Sequence, residues 1–243
     1  MNIFVVTETS YNIRTLGRMA METKRNAAML AVLVYGVAAM LPPAIISILF
    51  AGTLGENMSL LYSLLISGPF VYGLVVFFLA VFRRQPSEVQ QVFVGFEQFT
   101  KTLGLYLYML FFTILWALVF IVPGIIAAIR YSQSFYVMVD HPEYSISQCV
   151  EESKMRMKGN KSKYFVLNLS FIGWVLLCSI PSGIVGAIFR FSGNTSIYFI
   201  LALLAMTPYI WLGVYVSLTQ VAFYEILVGN LKAEPIKAQL PLE

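Results

Sequence analysis

Charged side chains are scarce in this sequence. Asp, Glu, Lys and Arg together make up 12% of the 243 residues, whereas 59% are hydrophobic. A soluble globular domain carries about 25% charged residues, and a chain of this length has too little interior to bury so much apolar surface. Several uncharged runs exceed the roughly 20 residues that cross the hydrocarbon core of a bilayer. The composition therefore excludes an ordinary soluble domain and predicts a membrane protein.

Cysteine and histidine are also rare, with two cysteines and one histidine. Cys149 lies in a polar stretch and Cys178 in an apolar run, so we expect them at different depths and predict no disulfide. The histidine, His141, lies between Asp140 and Glu143. A zinc site usually takes three or four protein ligands, and no second histidine or cysteine cluster is near. We interpret this group as the exit from an apolar helix.

Motifs that would indicate catalysis are missing. The sequence has no glycine-rich nucleotide-binding loop, no nucleophile elbow and no paired carboxylates within an apolar run. The net charge is +4, but the cations flank the apolar runs, which indicates membrane topology rather than nucleic-acid binding. We therefore predict that the chain is not an enzyme, takes no cofactor or metal and binds no nucleic acid.

The apolar runs number five, but the positions of the charges require six spans. With the N-terminus inside, five spans would place the Lys- and Arg-rich segment 140–163 outside, against the positive-inside rule. The third run, 103–139, is long enough for two helices, and Pro123 and Gly124 lie where a reversal is needed. The predicted spans are about 27–54, 59–82, 103–122, 124–140, 164–189 and 197–228.

This arrangement predicts an all-α membrane helix bundle forming a single domain, 1–243, with both termini cytoplasmic. Every Lys and Arg except Arg130 and Arg190 then lies on the inner side. Residues 1–26 carry cations but no short apolar stretch with a cleavage site, so we expect no cleavable signal peptide.

The six spans pair into three hairpins, each with a proline near the outer end of its first helix: Pro42, Pro123 and Pro181. Amphipathic helices are predicted along the inner surface at about 86–101 and 145–158, the second with a capping box formed by Ser145 and Gln148.

Basic residues in and after the second surface helix are candidate contacts for anionic lipid head groups, because each cation near a negative leaflet gains about 1 kcal/mol. They are Lys154, Arg156, Lys158, Lys161 and Lys163. The alternative is that these side chains only anchor the topology beneath the bundle.

Arg130 is predicted about two turns into its span, where an unpaired charge is costly, so it should face the bundle interior. Glu225 should lie near the inner interface, within reach of a cytoplasmic Lys or Arg. The polar residues predicted to line a cavity are Arg130, Gln133, Tyr136, Gln220 and Glu225. The alternative is a hydrogen-bonded clamp that ties helix ends together.

Several motifs resemble an uncharacterised bacterial membrane-protein family, domain of unknown function 975. The motifs are Leu115–Tyr136, Asp140–Glu143, Glu152–Lys154, Met157–Lys161, Val94–Phe99, Leu169–Trp174 and Phe223–Glu225. More distantly, the layout is similar to the membrane domain of bacterial glycerophosphodiester phosphodiesterases. The resemblance implies a multi-pass bacterial plasma membrane protein of unassigned activity, and it supplies no catalytic residues.

Two functions follow from these features. The first is transport, or the handling of a lipid or anion, through a polar cavity around Arg130. The second is a non-transporting scaffold, regulator or immunity-type protein that acts through a membrane-protein partner or a second copy of itself. The first predicts a water-accessible interior, and the second predicts a closed, dry core.

Overall fold

The computed structural model describes residues 4–50, 52–192 and 195–231, with no side chains described for 191–200. The described residues form ten α-helices and one 3₁₀ helix, Val89–Phe96, joined by turns and loops, and they include no strand. The α-helices are α1 Ser10–Thr23, α2 Arg25–Leu49, α3 Thr53–Phe82, α4 Phe99–Val119, α5 Ile121–Tyr131, α6 Ser134–Asp140, α7 Ile146–Arg156, α8 Lys161–Leu169, α9 Ile172–Ser192 and α10 Thr195–Val228. The predicted all-α fold class is confirmed.

Within the described residues, five helical stretches are long and apolar enough to cross a membrane, which is compatible with a membrane protein. They are α2, α3, α4, the stretch Lys161–Arg190 and Leu201–Val228. The fourth predicted span, 124–140, is not among them because it is divided into α5 and α6.

The division of this span has a local cause on α7. The Ser153 hydroxyl donates a hydrogen bond to the backbone carbonyl of Arg130 (2.7 Å) and accepts one from the backbone N–H of Gln133 (3.2 Å). Both backbone groups would otherwise serve the helical ladder, and a side chain inserted into that ladder interrupts the helix. The sequence prediction of one continuous helix here was wrong.

The reversal between α4 and α5 lies at Phe120, three residues before the predicted position at Pro123. Phe120 is extended, with φ −158° and ψ 151°. Pro123 falls in the first turn of α5, where proline is tolerated because the amide has no helical partner. A Cβ on Gly124 would come within 2.7 Å of Ala117, so glycine allows α4 and α5 to pack closely.

The predicted surface α-helix at 86–101 is instead a 3₁₀ helix, and α4 begins at Phe99. A Cβ on Gly73 would clash with the Val92 carbonyl, and one on Gly95 with the Pro69 carbonyl. The 3₁₀ helix therefore packs backbone to backbone against α3 instead of lying flat on an apolar face. The other predicted surface helix is present as α7, with the Ser145 capping box.

The N-terminal helix α1 was not predicted. The Thr9 side chain caps this helix by accepting a hydrogen bond from the backbone N–H of Asn12. The buried residues of the helix, Ile13, Gly17 and Met21, recur every fourth position. A Cβ on Gly17 would lie 2.8 Å from the Thr219 backbone nitrogen, so α1 packs tightly against α10.

The long helices α3 and α10 each divide into an exposed and an enclosed half. On α3 the exposed apolar residues run from Leu54 to Leu65, and the buried residues other than Gly55 run from Gly68 to Val81. On α10 the described exposed residues end at Tyr209, and nearly every residue from Leu212 to Leu227 is buried or half-buried. Helices α1, α6 and α7 contribute to the core around the enclosed halves.

Candidate functional site

A charged cluster lies where α3, α6 and α10 meet at the enclosed end of the bundle. Arg83 follows the last residue of α3, Asp140 ends α6, and Glu225 belongs to the last turn of α10. These three side chains form the Arg83 clamp. The Glu225 side chain is only 5% exposed, and those of Arg83 and Asp140 are 25% and 19% exposed.

The planar guanidinium group of Arg83 binds the carboxylates of both Asp140 and Glu225. Its two terminal nitrogens donate to the Asp140 oxygens at 2.7 and 3.0 Å, and Nε donates to Glu225 Oε1 at 2.8 Å. Bidentate, charge-assisted bonds of this kind are among the strongest in proteins. The hydrogen bond from Arg83 to Asp140 raises the pKa of Arg83 above its usual range.

Neighbouring side chains satisfy the remaining oxygens of the clamp. The Tyr224 hydroxyl donates to Asp140 Oδ2 at 2.7 Å, and Asn230 Nδ2 donates to Glu225 Oε2 at 2.8 Å. Tyr136 stacks on Tyr224 with 5.0 Å between ring centroids. The cluster is therefore a closed network.

The prediction that a cation would reach Glu225 is confirmed, and the cation is Arg83. Sequence reasoning missed Asp140 as the second acceptor, although one signal was present. Arg83 follows an apolar run, Asp140 ends another, and Glu225 lies near the end of a third. If the C-terminal ends of these three spans lie on the same side of the membrane, their opposite charges are expected to meet.

A second polar cluster is centred on Tyr164 of α8. Its hydroxyl donates to Gln220 Oε1 at 2.8 Å, and Gln220 Nε2 donates to Asn168 Oδ1 at 3.0 Å. Gln133 Nε2 donates to Ser132 Oγ at 2.8 Å. Gln133 Oε1 and the hydroxyl of the next residue, Ser134, are buried without a hydrogen-bond partner.

The five residues predicted to line one cavity therefore do not lie together in a single site. Glu225 and Tyr136 belong with the Arg83 clamp, and Gln220 belongs with the Tyr164 cluster. Gln133 is fully buried, whereas Arg130 is half-exposed. Among the described residues, the Arg130 guanidinium makes no hydrogen bond or ion pair, and only its carbonyl is held by Ser153.

The predicted lipid contacts also differ from one another. Arg156 donates to Glu152 at 2.6 Å and lies over the Tyr224 ring at 5.8 Å, so it is engaged within the fold. Lys154 lies over the Tyr131 ring at 5.7 Å. Lys158 is exposed, and Lys161 and Lys163 are half-exposed. These three remain available as surface cations.

Two open cavities in the described part of the structure bear on the predicted polar cavity. One, of about 460 Å³, is lined by Glu22–Ala27 at the junction of α1 and α2. The other, of about 300 Å³, lies between α9 and α10 and is lined by Trp174, Leu177, Cys178, Pro208 and Trp211. No residue predicted for the polar cavity lines either one. Within the described part of the chain, no cluster of three His, Cys, Asp or Glu residues could hold a metal ion.

Comparison with protein families identifies the relatives of this chain. The family described as protein of unknown function (DUF975) matches residues 1–130 and 118–230. The chain belongs to this family. No curated protein and no solved structure matches the chain. The more distant likeness to the glycerophosphodiester phosphodiesterase membrane domain stays a prediction.

Proposed function

We propose that this protein is a non-transporting membrane scaffold or regulator that keeps a closed helix bundle and acts through a membrane-protein partner. The Arg83 clamp carries the proposal, because it ties the ends of α3, α6 and α10 to one another. A transporter that alternates its access must move helices against each other. Separating these charges would leave partly buried ions unpaired, at a cost of about 3 kcal/mol or more.

The hydrogen bonds that the polar side chains make to one another support the same proposal. Tyr164, Gln220 and Asn168 bind one another, and Arg83, Asp140 and Glu225 form a closed network. These groups satisfy one another within the fold and need no water-filled path to do so. In this bundle they form hydrogen-bonded clamps centred on Arg83 and Tyr164, whereas the clamp that the sequence offered as an alternative was centred on Arg130.

Cysteine accessibility tests the closed core. Arg130, Gln133 and Gln220 are replaced singly by cysteine in a background without Cys149 and Cys178, and a membrane-impermeant thiol reagent is applied to intact cells and to inside-out vesicles. We expect Gln133→Cys and Gln220→Cys to stay unlabelled in both, because both side chains lie within hydrogen-bonded clusters.

Two matched positions calibrate this labelling. Glu56 and Lys158 are exposed and lie on opposite predicted sides of the membrane. We expect Glu56→Cys to react in intact cells and Lys158→Cys to react only in inside-out vesicles. Labelling of Gln133→Cys or Gln220→Cys in folded protein would overturn the closed core.

One observation favours the second candidate function, the handling of a lipid or an anion. Gln133 Oε1 and Ser134 Oγ are buried without partners, and such groups are costly unless water or a ligand satisfies them. They lie next to the Tyr164 cluster, so a polar guest would have a defined position there. Labelling at Gln133→Cys and Gln220→Cys together would move the conclusion to this function.

We also propose that the chain resides in a bacterial plasma membrane with both termini in the cytoplasm. The positions of the cations support this placement, since Arg18, Arg83 and Arg156 each contact a residue in the enclosed half of α10.

A further inference from the structure

Two arginines on α1 lie beside an apolar groove that the proposed function does not use. Arg14 and Arg18 are four residues apart and therefore share one face of the helix. Arg14 Nη1 donates to the Ser170 carbonyl, between α8 and α9, at 3.4 Å. The Arg18 guanidinium lies 5.7 Å from the ring centroid of Tyr215 on α10. Both cations thus reach the seam between α9 and α10.

The groove begins directly beyond Tyr215. The Tyr215 ring contacts Trp211, with centroids 5.4 Å apart, and Trp174, with centroids 6.3 Å apart. These two tryptophans line the cavity of about 300 Å³, together with Cys178 and Pro208. Leu177, which also lines it, is 59% exposed, so the groove opens to the outside of the bundle.

The two arginines lack a carboxylate partner. None of the ion pairs among the described residues includes Arg14 or Arg18. Arg14 Nε is buried without a hydrogen-bond partner, and the bond to Ser170 is long. A guanidinium has five donors suited to carboxylate or phosphate oxygens. Arg18 is exposed and Arg14 is half-buried, so the free donors of both guanidinium groups can bind an anion at the edge of this apolar surface.

We propose that this seam binds one anionic phospholipid. The lipid phosphate lies against the Arg14 and Arg18 guanidinium groups, and one acyl chain occupies the groove between Trp174 and Trp211. Cys178 lies six residues after the start of α9 at Ile172, about 9 Å along the helix at 1.5 Å per residue. This depth stays within one leaflet, whose hydrocarbon is about 15 Å thick. Positive charge at one end and apolar surface at the other match the two parts of such a lipid.

This site differs from the lysines predicted to touch lipid head groups, since it combines cations with a groove for the chain. It does not depend on the scaffold proposal, because a lipid can be held by a transporter or by a scaffold.

Tryptophan quenching by brominated lipids tests the site. Trp116 is 45% exposed on another helix and would report general contact with lipid, so the parent protein is Trp116→Phe. It is reconstituted in phosphatidylcholine vesicles that contain a small fraction of brominated phosphatidylglycerol or of brominated phosphatidylcholine. We expect phosphatidylglycerol to be preferred at Trp174 and Trp211 by about tenfold, because two cations face a headgroup whose phosphate charge is not neutralised by a choline ammonium.

Charge-matched variants separate this site from general attraction. Arg14→Gln/Arg18→Gln should reduce the preference to less than about twofold, whereas Arg14→Lys/Arg18→Lys should retain a preference because the charge remains. Arg25→Gln/Arg84→Gln removes the same charge from exposed positions outside the predicted lipid contacts and should leave the preference unchanged. Elution volume and helix content show that each variant is folded.

Three outcomes would overturn the proposal. Equal quenching of the parent by both lipids would mean that the groove is open to any lipid. Equal loss in the Arg25→Gln/Arg84→Gln control would mean that only net charge matters. Quenching by neither lipid would mean that a second copy or another helix covers the groove.

Discussion

At the residue scale, Arg83 links more of the molecule than any other described cation. Both of the arginine-to-carboxylate pairs that join separate helices in the described residues belong to it. Its fixed fork lets one side chain hold two carboxylates at once, which a lysine cannot do with the same geometry. A cation near Glu225 could be predicted from depth alone. The identity of that cation, and the part played by Asp140, required the packing of α3 and α6.

Replacing Arg83 with glutamine should lower the free energy of unfolding by about 3 kcal/mol, because Asp140 and Glu225 lose their shared cation. Thermal unfolding of the purified protein in detergent measures the loss. Arg84→Gln is the matched control, since Arg84 is the next residue, is exposed and makes no ion pair among the described residues. Equal effects of the two substitutions would contradict the clamp.

Ser153→Ala should also destabilise the fold, by about 1–3 kcal/mol, because it leaves the Arg130 carbonyl and the Gln133 amide without their partner. Hydrogen exchange at the junction of α5 and α6 should become faster. Ser162→Ala, at an exposed position of α8, serves as the control. If exchange at the junction stays slow, Ser153 does not maintain the break.

At the scale of single elements, glycines decide how closely helices approach. Sequence periodicity predicted an amphipathic α-helix at 86–101, and the apolar spacing fits that prediction. Gly73 and Gly95 instead permit the 3₁₀ helix to press its backbone against α3. Such contacts leave no periodic signal, because they depend on the absence of a side chain on each partner.

Gly73→Ala should weaken this packing by about 2 kcal/mol or more, since the added methyl group would clash with the Val92 carbonyl, which is backbone and cannot rotate away. The unfolding temperature in detergent is the measurement. Gly36→Ala provides the comparison: its Cβ meets nothing within 4 Å, so alanine should be neutral or stabilising there. Similar losses in both variants would indicate a general intolerance of alanine.

At the scale of the whole molecule, the number of membrane crossings depends on the hairpin of α4 and α5. Five stretches are long enough to cross, and α5 with α6 is a sixth only as a broken pair. The positive-inside rule favours six crossings, because the cations of 140–163 then join those of the other inner segments.

Fusions at the termini distinguish five crossings from six. If both termini are cytoplasmic, a fluorescent protein fused to either terminus should be bright. Alkaline phosphatase fused to either terminus should be inactive, because it is active only on the outer side. Opposite results at the two termini would mean an odd number of crossings. The C-terminal tail itself lies outside the described residues, so the fusion reports only the side on which α10 ends.

The sequence by itself determined the class of the protein, the positions of most apolar helices and the capped helix α7. These features depend on local composition, on periodicity and on how few charges an apolar run carries. Tertiary structure decided which polar groups meet. Arg83 contacts Asp140 and Glu225 only when α3, α6 and α10 pack together. In the same way, Ser153 divides α5 from α6 only when α7 packs against them. Arg14 and Arg18 reach the α9–α10 seam only when α1 packs there. Pairings between residues far apart in the chain depend on helix contacts, which one sequence does not record.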